Sequence, residues 1–493
     1  MPLTAEIVKA KARELGADGV GIADAAVLNA HPPDPAYPQT PVSVSPEIRS
    51  CVAFFKRIPA GAFRARDNAC IHHVDQLVLR EMDRVGYRIA RFLEGNGHWA
   101  FQTAAQETVW EMKSASYGYL STRHVAIEAG LGTIGFELNL LTKEAGPRCY
   151  TTVVLTDAVL EPDGKLTEQL CIGEPCSRCL YSCPPDAVQH WGLDKRRCAT
   201  FAQEFGFSTI LRVFSGFVGR DGANAKLGAL AGHEWFGIWQ GLLRVVGAFG
   251  DCPRCLAVPG RRGLQPVPEG RPARNSREDR REGRAGAAAA RDQKARRADP
   301  RHGRWACALD RRGRLSPAGP AHRHSRVSLT AGAVKAKAKV LGADLVGIAR
   351  GEVLDHHPPD PARPQTPSGI TTDDSKSVVI LARRLLTGIN RLRGHDDRHK
   401  QYSTELVLTD LEEIELKLVY FLEDSGFPSI TVPPVHFDPR HYDPKGDTRG
   451  PLSLAHAAVE AGLGTLGLNL MLLTPEYGPR VMLGAGRIRA SAA

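Results

Sequence analysis

No stretch of this chain approaches the roughly 18 uninterrupted apolar residues that a membrane-spanning helix needs, so no membrane association is expected. The opening Met-Pro-Leu-Thr-Ala-Glu-Ile-Val-Lys-Ala-Lys lacks the apolar core and the small-residue cleavage site of a secretory signal, which makes a cytoplasmic location the expectation. Ile, Phe, Met and Tyr are missing altogether between Arg261 and Arg326. Such a segment buries too little apolar area to offset chain entropy, so it is expected to be disordered. Cysteine is scarce outside one region, for seven of the 11 fall between Cys171 and Cys255. Without a secretory signal, thiols clustered in this way point to metal or redox chemistry and away from a disulfide framework.

What remains is globular in composition, with 42% hydrophobic and 24% charged residues. A length of 493 residues implies about three folded units. The net charge of +10 is not spread over them. Arg261 to Arg326 holds 19 Lys and Arg against 7 Asp and Glu, a surplus larger than that of the whole chain, so the folded parts are about neutral. One reading of this joint is a nucleic-acid-binding tail. A second is coding DNA read out of frame, because Arg, Ala, Gly and Pro replace Lys and the aliphatics from Pro259 onward. A similar loss is expected at Gly486 to Ala493, where the matching part of the first repeat continues as a strand.

The chain contains itself twice. Leu3 to Pro41 aligns without a gap to Leu329 to Pro367, and Ser121 to Arg148 aligns to Ser453 to Arg480. A period of about 330 residues means a repeated domain and not a solenoid, whose units run to about 20 to 50 residues. Within a copy, Ile7, Ala10, Lys11 and Leu15 keep helical spacing up to Gly16, and Gly19 to Ala23 reads as a buried strand. Further strands are expected at Ser50–Phe55, Ser377–Ala382 and Tyr150–Thr156. Long amphipathic helices are expected over about Asp75–Leu93 and Thr404–Leu422, and a shorter one over His124–Ala129. Helices alternating with strands give an α/β fold class. Further helices are expected at Phe201–Phe217 and Trp235–Val246.

Cys171, Cys176, Cys179 and Cys183-Pro184 form C-x4-C-x2-C-x3-C-P, close to the C-x2-C-x2-C-x3-C-P run of cluster-binding ferredoxins apart from the longer first gap. A tight loop presents three thiolates to one cubane face, while the fourth, followed by a helix-breaking proline, is directed elsewhere. Zinc is the alternative, although zinc knuckles do not need the closing C-x3-C-P. In two-cluster ferredoxins the fourth cysteine serves the other cluster. That groups Cys183 with Cys198, Cys252 and Cys255, and leaves Cys171, Cys176 and Cys179 short of one ligand. The completing cysteine is due at position 259, which is Pro259. One 4Fe-4S cluster is expected, and two are allowed.

Leu131-Gly-Thr-Ile-Gly after its Ala-Ile-Glu-Ala-Gly helix, Leu155-Thr-Asp-Ala, the cysteine run, Arg197-Cys198 and Asp251-Cys-Pro-Arg-Cys-Leu-Ala-Val258 resemble the epoxyqueuosine reductase and reductive dehalogenase superfamily. The resemblance covers Met1 to Val258 and again Val327 to about Ala485. It implies a nitroreductase-like layered α/β domain at residues 1–158, a ferredoxin-like iron-sulfur domain at 159–258, a linker at 259–326 and a second, truncated copy of the first domain at 327–493. It also implies base-off cobalamin against Gly130, Gly132, Thr133, Ile134 and Gly135. A plainer account of these glycines is that they end a helix. The implied activity is an iron-sulfur oxidoreductase passing electrons to a corrinoid for reduction of a small molecule or modified nucleoside. An external donor such as a flavodoxin or ferredoxin would feed it, and no nucleic-acid partner is expected. The rival classes are an electron carrier or non-catalytic protein without corrinoid, and an RNA-associated protein using the basic joint.

The chain departs from the family where an aspartate proton donor is due. Phe101-Gln-Thr-Ala-Ala and Ile430-Thr-Val-Pro-Pro stand there instead, with Tyr117 or Tyr119 a weak substitute as acid. The repeated His-Pro-Pro-Asp-Pro (His31 to Pro35, His357 to Pro361) is expected to be a rigid turn, and His124 and His456 structural helix residues.

Overall fold

The computed structural model describes residues 3–65, 68–105, 118–183, 185–194, 197–198, 329–362, 364–371, 376–388, 397–433 and 450–488. The basic joint, Cys252, Cys255, Pro259, Tyr117 and the helices expected at 201–217 and 235–246 lie outside these residues.

The first unit opens with α1 (Ala5–Glu14), whose first turn is capped by Thr4 Oγ1 accepting from Ile7 N, and which stops where Gly16 turns to φ +113°. Next come β1 (Gly19–Asp24), α2 (Ala25–Ala30), α3 (Pro41–Val44), β2 (Ser50–Arg57) and α4 (Asn68–Glu94). They are followed by β3 (Ala100–Gln102), α5 (Thr122–Glu128), the small hairpin β4 (Thr133–Ile134) and β5 (Leu140–Leu141), and β6 (Cys149–Thr156). The sheet order is β1-β2-β6-β3, antiparallel throughout. Alternation puts Val52 and Phe54 on the face covered by α1 and α4, and Cys51, Ala53 and Phe55 on the face covered by α2 and α5. With both faces covered, β2 is buried along nearly its whole length.

Residues 157–183 and 185–194 then cross back over this unit through α6 (Arg178–Ser182), β7 (Val188–Gln189) and β8 (Gly192–Leu193). The second unit repeats the order of the first: α7 (Ala331–Val340), β9 (Leu345–Arg350), α8 (Gly351–His356), α9 (Pro367–Ile370), β10 (Ser377–Arg384) and α10 (Asp397–Asp424). It continues with β11 (Ser429–Val432), α11 (Leu454–Glu460), β12 (Thr465–Leu466), β13 (Leu472–Leu473) and β14 (Val481–Ile488), in the sheet order β9-β10-β14-β11. The chain is therefore α/β.

Two expectations are corrected. The long helices begin earlier than the periodicity indicates, because Cys70, Ile71 and Val74 extend the buried stripe of α4 into the core. The strand character is also not lost at Gly486: β14 runs to Ile488, which pairs with Ser377 on one side and Ser429 on the other. A central strand hydrogen-bonded on both edges tolerates the weak strand preference of its glycines.

The two units pack against each other through α4 and α10, and one apolar cluster runs through both, from Val74 and Met82 to Leu416 and Ile430. Ion pairs join the helices, Arg80 to Glu412 at 2.6 Å and Arg84 to Glu413. At one end of the seam Tyr420 Oη donates to Arg57 O at 2.7 Å and carries Lys56 over its ring. Gly61 N donates to the part-buried Glu423 carboxylate at 3.2 Å. Gly61 is a glycine because a Cβ there would stand 1.9 Å from Ser429 O. A cavity of about 40 Å³ along the seam, bordered by Glu81, Glu413, Lys417 and Tyr420, has room for water.

Candidate functional site

The five loop residues stand together after α5. Gly130 N donates to Ile127 O and Leu131 N to Ala126 O, with Gly130 at φ +71°, a complete Schellman ending of the helix. The second unit closes α11 in the same way at Gly462, with φ +75°. The next glycine in each unit faces the chain's own backbone. A Cβ on Gly132 would lie 2.1 Å from Leu141 O, and one on Gly464 2.1 Å from Leu473 O. Thr133 Oγ1 accepts from Leu170 N at 3.1 Å, and Ile134 O from Gln169 Nε2 at 3.1 Å. Helix ending and close approach therefore account for Gly130 and Gly132, and the polar groups of Thr133 and Ile134 serve the cysteine-bearing segment.

That segment is strapped down before it reaches the cysteines. Asp163 accepts from Ile22 N at 2.8 Å and pairs with Lys9 at 2.6 Å, and Lys165 meets the buried Glu128 at 2.5 Å. Over the hairpin, Phe136 is buried edge-on between Trp191 (5.2 Å) and His190 (5.5 Å). Glu137 and Cys179 lie close enough to perturb each other's titration. Burial raises the pKa of Glu137, while burial and the adjacent Glu137 charge push Cys179 to about 12.

Cys179 lies in α6, Cys176 just before it, and Cys183 at its C-terminal cap. Cys171 Sγ accepts from Gly173 N at 3.4 Å and Cys183 Sγ from Ala187 N at 3.3 Å. Cys171, Cys176, Cys179, Cys183 and Cys198 are all partly exposed. Among the described residues no three His, Cys, Asp or Glu side chains converge on one point. The chemistry of the donors, soft sulfurs along one short segment, is that of an iron-sulfur ligand set, and two of them accept backbone N–H groups.

The other candidates resolve into structure. Asp34 Oδ1 accepts from Ala36 N at 2.9 Å and Asp360 Oδ1 from Ala362 N at 3.0 Å, so both His-Pro-Pro-Asp-Pro stretches are Asx-type turns. His124 Nε2 contacts His31 O at 3.0 Å, and His456 Nδ1 contacts Ser453 Oγ at 2.7 Å. Tyr119 is half exposed. Where the family aspartate is missing, Asp83 of α4 accepts from Ala105 N at 2.8 Å, and burial raises its pKa. Asp83 and Glu137 are the two carboxyls that sequence reasoning passed over, since neither sits in a spacing motif. Among the described residues no helix is long and apolar enough to cross a membrane.

Fold and site together define a class: a mixed α/β protein that sets a ladder of cysteines against a glycine hairpin. No family model matches the chain. It is 35% identical over 100 residues to epoxyqueuosine reductase of Bacillus cereus, covering 20% of this chain and 26% of that protein. It is 27% identical over 145 residues to tetrachloroethene reductive dehalogenase of Desulfitobacterium hafniense, covering 24% of each. A crystal structure of epoxyqueuosine reductase with a tRNA-Tyr epoxyqueuosine-modified tRNA stem loop superposes with a TM-score of 0.30 at 22% identity, over 41% of this chain and 58% of that one. The chain thus spans about a quarter of the length of these curated relatives. Its relatives are epoxyqueuosine reductases and reductive dehalogenases, the superfamily to which the cysteine run and glycine loop point.

Proposed function

We propose that the chain is an iron-sulfur oxidoreductase that delivers electrons from the cysteine-bearing segment to an acceptor beside the hairpin of its first unit. The observation that carries this reading is contact: Leu170, Gln169 and Trp191 of that segment touch Thr133, Ile134 and Phe136. Electron transfer needs donor and acceptor sites held at short, fixed separation, and these contacts between segment and hairpin support that reading. A 4Fe-4S cluster, when bound, supplies one-electron chemistry. Cys183, Cys198, Cys252 and Cys255 are the proposed complete ligand set, and Cys171, Cys176 and Cys179 belong to a second. Asp163, Lys9, Lys165 and Glu128 fix the segment to the unit, and Phe136 packs edge-on against Trp191.

The units are proposed to be nitroreductase-like copies of one ancestor, and residues 159–258 a ferredoxin-like module. Cobalamin is the acceptor that the superfamily resemblance implies. Gly130, Gly132, Thr133 and Ile134 turn to the chain itself, so no step is routed through it. The same observation favours a second reading, an electron carrier without corrinoid. The proposed substrate is a small molecule or a modified nucleoside, as the relatives' names describe for them. A nucleoside carried in RNA falls within that class, so the exclusion of nucleic acid is not maintained. An external flavodoxin or ferredoxin as donor remains part of the proposal.

Anaerobic reconstitution followed by metal analysis and optical spectra tests this reading. Iron with iron-sulfur absorption supports it, and corrinoid bands in addition favour the reductase over the carrier. Stoichiometric zinc without iron would sink both.

A further inference from the structure

The hairpin of β12 and β13 repeats, without its cover, the hairpin on which the cysteine-bearing segment lies. Its backbone is the same: Gly467 N donates to Met471 O as Gly135 N does to Asn139 O, and Leu470 sits at φ +63° where Leu138 sits at +66°. Leucine rarely adopts that region, so both hairpins keep one specifically built turn. What differs is what lies over it. A Cβ on Gly130 would stand 2.5 Å from Gly164 O of the segment, whereas one on Gly462 would meet nothing within 4 Å among the described residues. Phe136 is 1% exposed beneath Trp191, and Leu468, at the matching place, is fully exposed. Leu470, Met471 and Leu473 beside it are exposed as well. A contiguous apolar patch of this kind marks an interaction surface.

The polar anchors are repeated with it. In the first unit Lys9 pairs with Asp163, Glu128 with Lys165, and Thr133 Oγ1 accepts from Leu170 N. Lys335, Glu460 and Thr465 occupy the matching positions of the second unit, and all three are exposed. Among the described residues none of their side chains has a hydrogen-bond or ion-pair partner. The second unit therefore presents the same cation, the same anion and the same hydroxyl around the same hairpin, with the partner charges missing.

We propose that this face of the second unit binds a segment with the docking chemistry of residues 159–194, carried by a separate polypeptide. Such a segment brings a carboxylate to Lys335, a lysine two residues further on to Glu460, a backbone N–H to Thr465 and an aromatic ring over Leu468. Because the hairpin is already formed, little ordering is needed on this side of the contact. None of these anchors is a cysteine, so the docking does not depend on iron-sulfur chemistry.

The probe is a fluorescently labelled synthetic peptide of residues 159–194 with Cys171, Cys176, Cys179 and Cys183 replaced by serine. It is titrated into the full chain, whose own segment already covers the first unit, and its anisotropy should rise saturably. Lys335→Glu and Glu460→Lys, exposed changes confined to the second unit, should each weaken binding about three- to tenfold. Leu468→Asp should abolish it, and peptide carrying Lys165→Glu should regain affinity for the Glu460→Lys chain. No binding, or binding that these substitutions leave untouched, would overturn the proposal. A chain that runs as a dimer and becomes monomeric with Leu468→Asp would assign the face to a second copy, and would overturn it too.

Discussion

Cys51, Cys70 and Cys149 are buried in the first unit, and burial pushes Cys149 up to about 12, whereas Cys171, Cys176 and Cys183 stand partly open. A thiol reagent acts on the thiolate. In the metal-free folded chain, alkylation followed by peptide mapping should therefore mark Cys171, Cys176 and Cys183 well before Cys51, Cys70 and Cys149. Equal labelling of both groups would contradict the burial described here. Glu415 makes a second case at this scale, for it is fully buried and, among the described residues, neither carboxylate oxygen finds a hydrogen-bond partner. Desolvation raises its pKa well above the usual range. Replacing it by an apolar side chain of similar length, Glu415→Met, should raise stability by about 1 to 3 kcal/mol in urea titrations. The cysteines were legible in the sequence because cluster chemistry imposes a spacing on them. Glu137 was not, because its closeness to Cys179 depends on how residues 157–178 fold back over the hairpin, and no local pattern encodes that.

The hairpin, with its preceding helix ending, is the element on which the cysteine segment rests. Gly132 and Gly464 occupy matching places, and a Cβ at either would meet a backbone carbonyl at 2.1 Å. A side chain could rotate away, but a paired strand cannot. Gly132→Ala and Gly464→Ala should each destabilise the metal-free chain by about 2 kcal/mol or more, read as a shift of the denaturation midpoint. If these glycines served only a cofactor, the apoprotein would not notice the change. The β1 and β2 strands, α5 and the helix-ending glycines follow from period and punctuation, and were legible. The early start of α4 and the persistence of β14 were not, because packing from another unit and pairing on two edges settle them, and both are non-local.

Across the whole molecule, the repeat was plain in the sequence, but the seam between its halves was not: Arg80 and Glu412, or Gly61 and Ser429, meet from more than three hundred residues apart. Glu423 sits in that seam, and burial, only partly offset by Arg148, pushes its pKa from the ordinary 4.5 to about 7. The folded state therefore holds this proton more tightly than the unfolded chain does. The resulting stabilisation is full below about pH 4.5 and is lost as the pH rises through about 7, by up to about 3 kcal/mol. Denaturant titrations at pH 5 and pH 8 should show this slope, and Glu423→Gln should flatten it. The shared core has another consequence. Because Val74 and Met82 of one half lie in the same apolar cluster as Leu416 and Ile430 of the other, the halves adhere without the peptide that joins them. A protease site introduced between 261 and 326 and cleaved in the folded protein should yield two fragments that still elute as one species and separate only in denaturant. What holds this protein together as one molecule is the seam, and the polypeptide between its halves could be cut without dividing it.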